Sequence, residues 1–357
     1  MRVLVVGAGV AGLAVGWRLR QAGADVTVFD RAQPGMGATW ASAGMIAAGG
    51  ELGGAQSPDA DFARLSAGLW DQFANDIEGA SGQDIAYAKC GALLVARSAR
   101  EVAELVPWSG AVRIDAAVAR AKEPLLAPDI AGALWAPDEA KVDSRALGAA
   151  LATAFTREGG KLIANEAIVH IKVEGNRAVS IQTPFASYEA DAFVLAAGAW
   201  SGRIDGLPKH AVPPVKPIKG QMLAVVAPQG CSLPSHIVWG NGVYMLARGQ
   251  RLLVGATSED VGFDTSVTNE AADFLSARAR DLAPELGDWE VVERWAGLRP
   301  ASPDGLPLLG RSHVERLFIA SGQYRNGILF APAVAQLLCD IVLKRGVEIP
   351  AFDPRRY

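Results

Sequence analysis

The sequence is poor in the residues that form disulfides and bind metal ions. Its 357 residues include only three cysteines and four histidines. None of them forms a CxxC pair or another close cluster; they are Cys90, Cys231, Cys339, His170, His210, His236 and His313. This spacing argues against a disulfide framework, an iron–sulfur cluster and a structural zinc site. We therefore predict no metal site, and we expect a reducing, cytoplasmic location.

The chain also lacks a strong charge of either sign and a long apolar run. It has 34 basic and 38 acidic residues, a net charge of −4, and no Lys/Arg cluster of the size that nucleic acid requires. No apolar stretch reaches the roughly 18 residues of a membrane span, since Pro332, Gln336 and Asp340 interrupt the richest one. We predict neither a nucleic-acid partner nor an integral membrane segment, and the length suits two globular domains.

The first thirty residues carry the strongest pattern. Val3 to Val6 is a short apolar run typical of a buried parallel strand, and a second such run ends just before Asp30. Between them, Gly7, Gly9 and Gly12 have the GxGxxG spacing of a dinucleotide-binding turn. A carboxylate about 20 residues beyond the glycines can accept a hydrogen bond from a ribose hydroxyl. The pattern predicts a dinucleotide site; the alternative is a parallel-sheet turn without a ligand.

A run of small residues follows, Gly37 to Met45, with the sequence GATWASAGM. It has too little apolar periodicity for a surface helix. Its small side chains would let the backbone lie against a planar ligand, and Thr39 and Ser42 would add hydroxyl groups. The alternative is a flexible linker.

The rest of the chain alternates between two kinds of pattern. Buried strands that end in glycine, such as Phe193 to Ala196 before Gly198, suit a parallel sheet, whereas short strands from Val215 onward suit an antiparallel one. The pattern also predicts a helix capped by Ser144 that runs to Arg157, a helix from Asn269 to Leu282, and a meander of strands at Lys161 to Ala164, Ala167 to Val173 and Ala178 to Gln182. The proline-punctuated segment from Pro107 to Pro137 is assigned no element. We predict an α/β protein with a Rossmann-like domain and an interleaved antiparallel-sheet domain. The first would comprise residues 1–84, 139–212 and 297–357, and the second residues 85–138 and 213–296, with a cleft between them.

Several segments together resemble the D-amino acid oxidase family of FAD-dependent oxidoreductases, and its glycine oxidases most of all. They are GATWASAGMI, LAAGAWSG, VYMLAR, LLVGATSEDVGFD, GLRPASPDGLPLLG and GQYRNGILFAP. They extend over nearly the whole chain in the order that the family uses.

The resemblance implies a cofactor, FAD, and residues that bind it. Glycines 7, 9 and 12 would contact the pyrophosphate, Asp30 with Arg31 the ribose side, and Ile168 the adenine. The remaining implied contacts are Thr39, Ser42, Ala43, Gly44, Met45, Gly198, Trp200, Arg325, Asn326, Gly327 and Ile328. Backbone N–H groups at the start of the helix from Ile328 could also stabilise negative charge on a reduced flavin. Covalent relatives use a cysteine near Gly297 or Leu298; none stands here, so we expect non-covalent FAD.

The same resemblance implies a substrate site. Arg299 would bind an amino acid carboxylate and Tyr244 would donate a hydrogen bond to it, with Arg325 and Arg248 as further cations. Without the resemblance, Tyr244 could be a cross-strand aromatic with its hydroxyl in solvent. The implied reaction removes hydride from the alpha carbon of glycine, sarcosine or a D-amino acid to flavin N5. The imino acid then hydrolyses to an oxo acid and ammonia, and no side-chain general base is assigned.

The sequence leaves several alternatives open. The electron acceptor could be oxygen, giving hydrogen peroxide, or a quinone, as in dehydrogenases of D-amino acids or proline-like imino acids. A non-catalytic flavin-binding redox module is the alternative of another class, and a nicotinamide dehydrogenase is disfavoured by the small-residue run.

Two residues differ from those common in glycine oxidases. Gln323 replaces a histidine and Trp40 replaces a smaller residue, and either change would alter the size of the substrate that fits. Other expected pocket residues are Met45, Ile46, Ala47, Met222 and Trp239. Whether Gly49 to Gly54 is a lid or a loop, and whether the protein is a homo-oligomer, stays open.

Overall fold

The computed structural model describes residues 1–53, 55–108 and 110–357. Its strands are β1 (Arg2–Val6), β2 (Asp25–Phe29), β3 (Met45–Ile46), β4 (Ala88–Lys89), β5 (Ala92–Ala96), β6 (Val112–Asp115), β7 (Gly132–Ala136), β8 (Ala140–Lys141), β9 (Lys161–Ile163) and β10 (His170–Glu174). They continue with β11 (Arg177–Gln182), β12 (Ser187–Glu189), β13 (Ala192–Leu195), β14 (Lys216–Val226), β15 (Ile237–Gly240), β16 (Val243–Arg248), β17 (Arg251–Gly255), β18 (Glu290–Ala301), β19 (Leu308–Arg311) and β20 (Leu317–Ser321).

The α-helices follow the same chain order. They are α1 (Val10–Gln21), α2 (Ala38–Ala41), α3 (Ala48–Leu52), α4 (Pro58–Ser81), α5 (Ala99–Glu104), α6 (Ala116–Lys122), α7 (Ser144–Arg157), α8 (Asn269–Leu282) and α9 (Ala331–Val342). None of the helices in the described ranges combines the length and the apolarity that crossing a bilayer would require.

A mainly parallel sheet of six strands organises the first part of the fold. Its order is β19-β20-β13-β1-β2-β9, with β1 paired in parallel to both β2 and β13. Helices α1, α4, α7 and α9 pack together on one face, where Val5, Trp17 and Phe155 belong to one buried cluster. Burial of apolar side chains on both faces explains the continuous apolar runs seen in the sequence. The arrangement confirms the predicted Rossmann-like sheet.

An eight-stranded sheet forms the second part. Its order is β18-β14-β17-β16-β15-β5-β7-β6, and every pair is antiparallel except β5 with β15. Helix α8 packs against β14, β16 and β17, and contributes Leu275 and Leu282 to a separate buried cluster. This confirms the predicted antiparallel sheet.

One predicted boundary falls inside a strand. β18 pairs with β14 along its length, from Glu290 opposite Val226 to Ala301 opposite Lys216, so position 297 lies within the eight-stranded sheet. We propose the two-domain division with this boundary moved beyond Ala301. Dividing the single strand β18 between two domains would interrupt its hydrogen bonds to β14.

Three local predictions were wrong. Lys161–Ile163 is not part of a meander with the next strands but pairs in parallel with β2, because Asn165, at φ 59°, turns the chain away from β10. The N-cap of α7 is Asp143, whose carboxylate accepts from two backbone N–H groups, and Ser144 is the first helical residue. The run from Gly37 to Met45 contains one helical turn, α2, which no periodicity in the sequence indicated.

Candidate active site

A cavity of about 860 Å³ extends between the two sheets. The carboxyl ends of β1, β2 and β13 form one part of its wall, as expected for ligand sites in open α/β sheets. Most of the predicted residues line it: Gly7, Gly9, Asp30, Arg31, Thr39, Ser42, Ala43, Met45, Ile168, Gly198, Trp200, Tyr244, Arg299, Arg325, Asn326, Gly327 and Ile328. The lining thus combines the predicted cofactor and substrate residues in one cavity.

Two predicted glycines, Gly12 and Gly44, do not line this cavity. A Cβ on Gly12 would overlap the carbonyl oxygen of Gly7, so the glycine lets α1 pack closely on the turn. A Cβ on Gly44, at φ 87°, would overlap the carbonyl oxygen of Val142. Both glycines allow close packing of the backbone behind the cavity wall, and neither lines the cavity itself.

The glycine turn is held by two side chains from elsewhere. Gly7 has a φ of 108°, and the Val10 N–H at the start of α1 donates to Thr39 Oγ1 at 2.9 Å. Asp30 Oδ2 accepts from the Ala8 N–H at 2.7 Å and Oδ1 from the Ala32 N–H at 2.9 Å. Burial raises the pKa of Asp30, against the lowering effect of these two bonds. A carboxylate has further acceptor positions on each oxygen, so Asp30 can still receive a ribose hydroxyl.

An aromatic and cationic stack lines the cavity, and its arginine directly follows Asp30 in the chain. The Arg31 guanidinium is 3.6 Å from the ring centroid of Trp200, and burial lowers the pKa of Arg31. Phe263, from the loop after β17, packs on Trp200 with ring centroids 5.4 Å apart. These groups could hold the adenosine half of a dinucleotide by flat packing.

The small-residue run is packed in place instead of forming a linker. Trp295 Nε1 donates to the Ala41 carbonyl at 2.9 Å, and the Ser144 hydroxyl donates to the Ser42 carbonyl at 2.7 Å. A Cβ on Gly297 would overlap Ala41, so α2 lies directly on β18. The run therefore presents backbone and small side chains to the cavity at a fixed depth, as a planar ligand requires.

Two buried amide atoms lie in the turn before α9, which begins at Ala331 rather than at the predicted Ile328. Within the described residues, Gln323 Nε2 and Asn326 Oδ1 are buried and have no hydrogen-bond partner. Both residues line the cavity and are only 7% and 8% exposed. Because buried polar atoms are nearly always paired, this donor and acceptor fit a bound group with polar edges, such as the flavin ring.

Two suspected residues do not line the cavity. The Arg145 guanidinium lies 3.7 Å from the ring centroid of Trp40, and the Trp40 ring also packs against Trp295. Arg248 lies on the same cluster, 5.7 Å from the Trp295 ring centroid. Neither Trp40 nor Arg248 is therefore in position to contact a ligand in the cavity directly. Of the expected pocket residues, Met45, Met222 and Trp239 line the cavity, whereas Ile46 and Ala47 do not.

Arg299 and Tyr244 lie together in the wall of the cavity. Arg299 Nη1 donates to the carbonyl oxygens of Thr257, at 3.0 Å, and Lys219, at 3.4 Å. A Cβ on Gly220 would overlap the guanidinium, so this glycine makes room for it. The Tyr244 hydroxyl lies 3.5 Å from Met222 Sδ rather than in solvent. Burial raises the pKa of Tyr244 to about 12, partly offset by Arg299, so the hydroxyl stays a donor at neutral pH.

Arg325 is fixed by a residue that the sequence did not reveal. Its Nε lies 2.6 Å from Glu51 Oε2, and its Nη2 donates to the Glu51 carbonyl at 2.7 Å. Burial raises the pKa of Glu51, opposed by Arg325 and Arg299. Glu51 stands in α3, within the segment left open as lid or loop; of that segment, Gly54 lies outside the described residues.

Helix α3 is itself held by a second unforeseen carboxylate, Glu139. Its Oε1 accepts from the N–H groups of Gly49 and Gly50, each at 3.0 Å. Neither glycine has room for a side chain, since a Cβ would overlap Trp108 and Trp239 respectively. The only sequence signal was the pair of glycines beside an acidic residue. Among the described residues, no cluster of His, Cys, Asp and Glu could hold a metal ion.

The cavity lies between a parallel sheet with a glycine turn and an antiparallel sheet that carries Arg299 and Tyr244. This arrangement is typical of a dinucleotide-dependent oxidoreductase. The family comparison makes this class specific. The model of the family described as FAD dependent oxidoreductase (DAO) matches residues 2–341, and the chain belongs to this family. The predicted family, its fold and FAD as cofactor are thereby confirmed.

Individual relatives agree with the family. The chain is 34% identical over 363 residues to a glycine oxidase of Geobacillus kaustophilus, with 98% of this chain and 94% of that protein covered. The crystal structure of glycine oxidase from that organism superposes with a TM-score of 0.93 at 33% identity, covering 100% of this chain and 99% of the other. A bifunctional protein ThiO/ThiG of Synechocystis sp. is 34% identical over 364 residues, 99% of this chain. The chain spans about half the length of that relative, 54%.

Proposed function

We propose that the protein uses FAD to oxidise a small amino acid or amine such as glycine, sarcosine or a D-amino acid. The observation that carries this proposal is that Arg299 and Tyr244 lie together in the wall of the same cavity that the dinucleotide turn lines. A curated relative of nearly equal length, at 34% identity, is a glycine oxidase. A flavin-binding redox module would not need a carboxylate-binding pair.

The residues would divide the work of binding. Gly7, Gly9 and Asp30 would hold the pyrophosphate and ribose, Arg31 and Trp200 the adenine side. The α2 segment with Gln323, Asn326 and the backbone from Gly327 would hold the flavin. When bound, FAD supplies the hydride acceptor for the reaction.

The chain's own contribution to the chemistry is positioning. The Arg299 guanidinium would bind the substrate carboxylate, and the Tyr244 hydroxyl, still protonated at neutral pH, would donate to the same group. Two fixed contacts to one carboxylate restrict rotation of the substrate and direct its alpha C–H along the cavity. Trp239 and Met222 would exclude water there. Glu51 is paired with Arg325, so we assign no general base.

The first experiment is an anaerobic visible spectrum of the FAD-loaded protein with glycine, sarcosine, proline and D-amino acids. We expect flavin bands that bleach, and bands that stay oxidised with every compound would contradict the proposal.

Arg299→Ala should keep FAD but raise the KM about 30-fold to several thousand-fold, from the loss of about 2 to 5 kcal/mol of charge-paired binding. Arg294→Ala, an exposed arginine of the same strand, is the matched control.

The electron acceptor is a separate question for the same protein. We propose oxygen, with hydrogen peroxide as product; the alternative is a quinone or a partner protein. Oxygen consumption that appears only after an artificial dye is added would favour the alternative. A cytoplasmic location and self-association stay predictions.

A further inference from the structure

The two arginines of the proposed substrate site differ in their charge partners. Among the described residues, Arg299 has main-chain carbonyls within hydrogen-bond distance but no carboxylate within 4.0 Å. Arg325, in contrast, bonds the side chain and the carbonyl oxygen of Glu51, at 2.6 and 2.7 Å. One guanidinium is therefore available for an anionic ligand, and the other is already neutralised.

Glu51 is held more firmly than an exposed partner would be. Its side chain is 11% exposed, compared with 49% for Arg325. Its own N–H donates to the Ala47 carbonyl at 2.9 Å, and the preceding two N–H groups are bound by Glu139. Gly50 is packed under the Trp239 ring, which leaves α3 little freedom to shift. The carboxylate therefore stays beside Arg325 and within reach of the charge on Arg299, which also acts on its pKa.

We propose that Glu51 determines substrate specificity by occupying the second guanidinium. This rests on the proposed function, in which Arg299 binds the substrate carboxylate. A substrate with one carboxylate meets one available cation. A substrate with a second carboxylate would have to displace Glu51 from Arg325 or lie against its negative charge, and like charges in such proximity are costly. The site therefore selects amino acids with one carboxylate and rejects dicarboxylic ones.

The test uses binding without turnover, to the FAD-loaded protein. Acetate and malonate differ by one carboxylate, and each is titrated while the visible spectrum of bound FAD is followed. The measured quantity is the ratio of the malonate Kd to the acetate Kd, at constant ionic strength. In Glu51→Gln, which keeps the size but removes the charge, we expect this ratio to fall about tenfold or more. Glu51→Asp should preserve most of the ratio, and Glu270→Gln, an exposed glutamate of α8, should leave it unchanged.

A second variant tests the same idea in the opposite direction. Arg325→Gln removes the cation that lowers the pKa of Glu51, so the ratio should rise with increasing pH as the unpaired Glu51 carboxyl group ionises. This variant decides the question if Glu51→Gln fails to retain FAD. A purely structural role for Glu51 would weaken both ligands together and leave the ratio constant, which would overturn the inference alone. Acetate that does not bind the wild-type protein, or that binds equally well to Arg299→Ala, would overturn the proposed function and this inference with it.

Discussion

The buried carboxyl group of Glu139 gives the fold a pH dependence that can be measured. Glu139 is 6% exposed, and burial raises its pKa from 4.5 to about 7, although the N–H groups of Gly50 and Gly49 act in the opposite direction. The charges of Glu51 and Asp138 raise it further. Between pH 4.5 and 7 the folded protein therefore binds more protons at this site than the unfolded chain does.

The sign and size of the effect follow from this difference. The stabilising contribution of protonated Glu139 is fully present below pH 4.5 and is lost as the pH rises through about 7. At about 1.4 kcal/mol per pH unit, the interval from 4.5 to about 7 corresponds to about 3 kcal/mol. Glu139→Gln keeps an oxygen that can accept from Gly49 and Gly50, but it has no proton to lose. Its free energy of unfolding should lack this part of the pH dependence.

The assay is urea unfolding of the FAD-saturated protein at several values between pH 5 and pH 8. We expect the wild type to lose about 2 to 3 kcal/mol more than Glu139→Gln across this range, with the variant the more stable at pH 8. Glu270→Gln, on the exposed side of α8, is the control and should follow the wild type. Parallel curves for wild type and Glu139→Gln would refute the reasoning, because they would place the Glu139 pKa near its ordinary value.

Three further predictions concern FAD and the carboxylate site. Asp30→Ala should weaken FAD binding by about 1 to 3 kcal/mol and so raise the FAD Kd, because it removes the acceptor for the Ala8 and Ala32 N–H groups. An unchanged Kd in a fluorescence titration of apoprotein would count against the ribose role. Gly220→Ala should displace the Arg299 guanidinium and raise the substrate KM with FAD retained, whereas Gly68→Ala, with open space at its Cβ, should not. Acid precipitation should release the yellow FAD into the supernatant; colour in the pellet would indicate a covalent bond.

The parts of the fold that the sequence predicted well depend on local chemistry. The β1-α1-β2 unit has its apolar runs, its glycines and Asp30 within thirty residues. Helix α8 was predicted at Asn269 to Leu282 and has these bounds, because Thr268 caps it and its apolar positions repeat with the helical period. Such signals lie within a few residues of the element they specify.

The parts that the sequence predicted poorly depend on distant partners. The segment from Pro107 to Pro137 contains β6, α6 and β7, none of which was identified. β6 has only four residues, and it is a strand because β7 lies beside it at the edge of the eight-stranded sheet. In the same way, β9 has only three residues, and it is a strand because it pairs in parallel with β2. Short strands gain their hydrogen bonds from the partner, so their own composition carries little information.

The candidate site shows the same division between local and distant determinants. Arg299 and Tyr244 were found through the segments around them, but the sequence did not indicate that Glu51 neutralises Arg325 or that Glu139 fixes α3. These pairs join residues separated by 274 and 90 positions, and the structure alone brings them together. Glycine, moreover, is informative only once its neighbour is known: Gly50 accommodates Trp239, and Gly220 accommodates Arg299. In the proposed site, substrate selection would therefore depend on residues whose partners lie in other segments, and mutagenesis of the recognisable motifs alone would miss it.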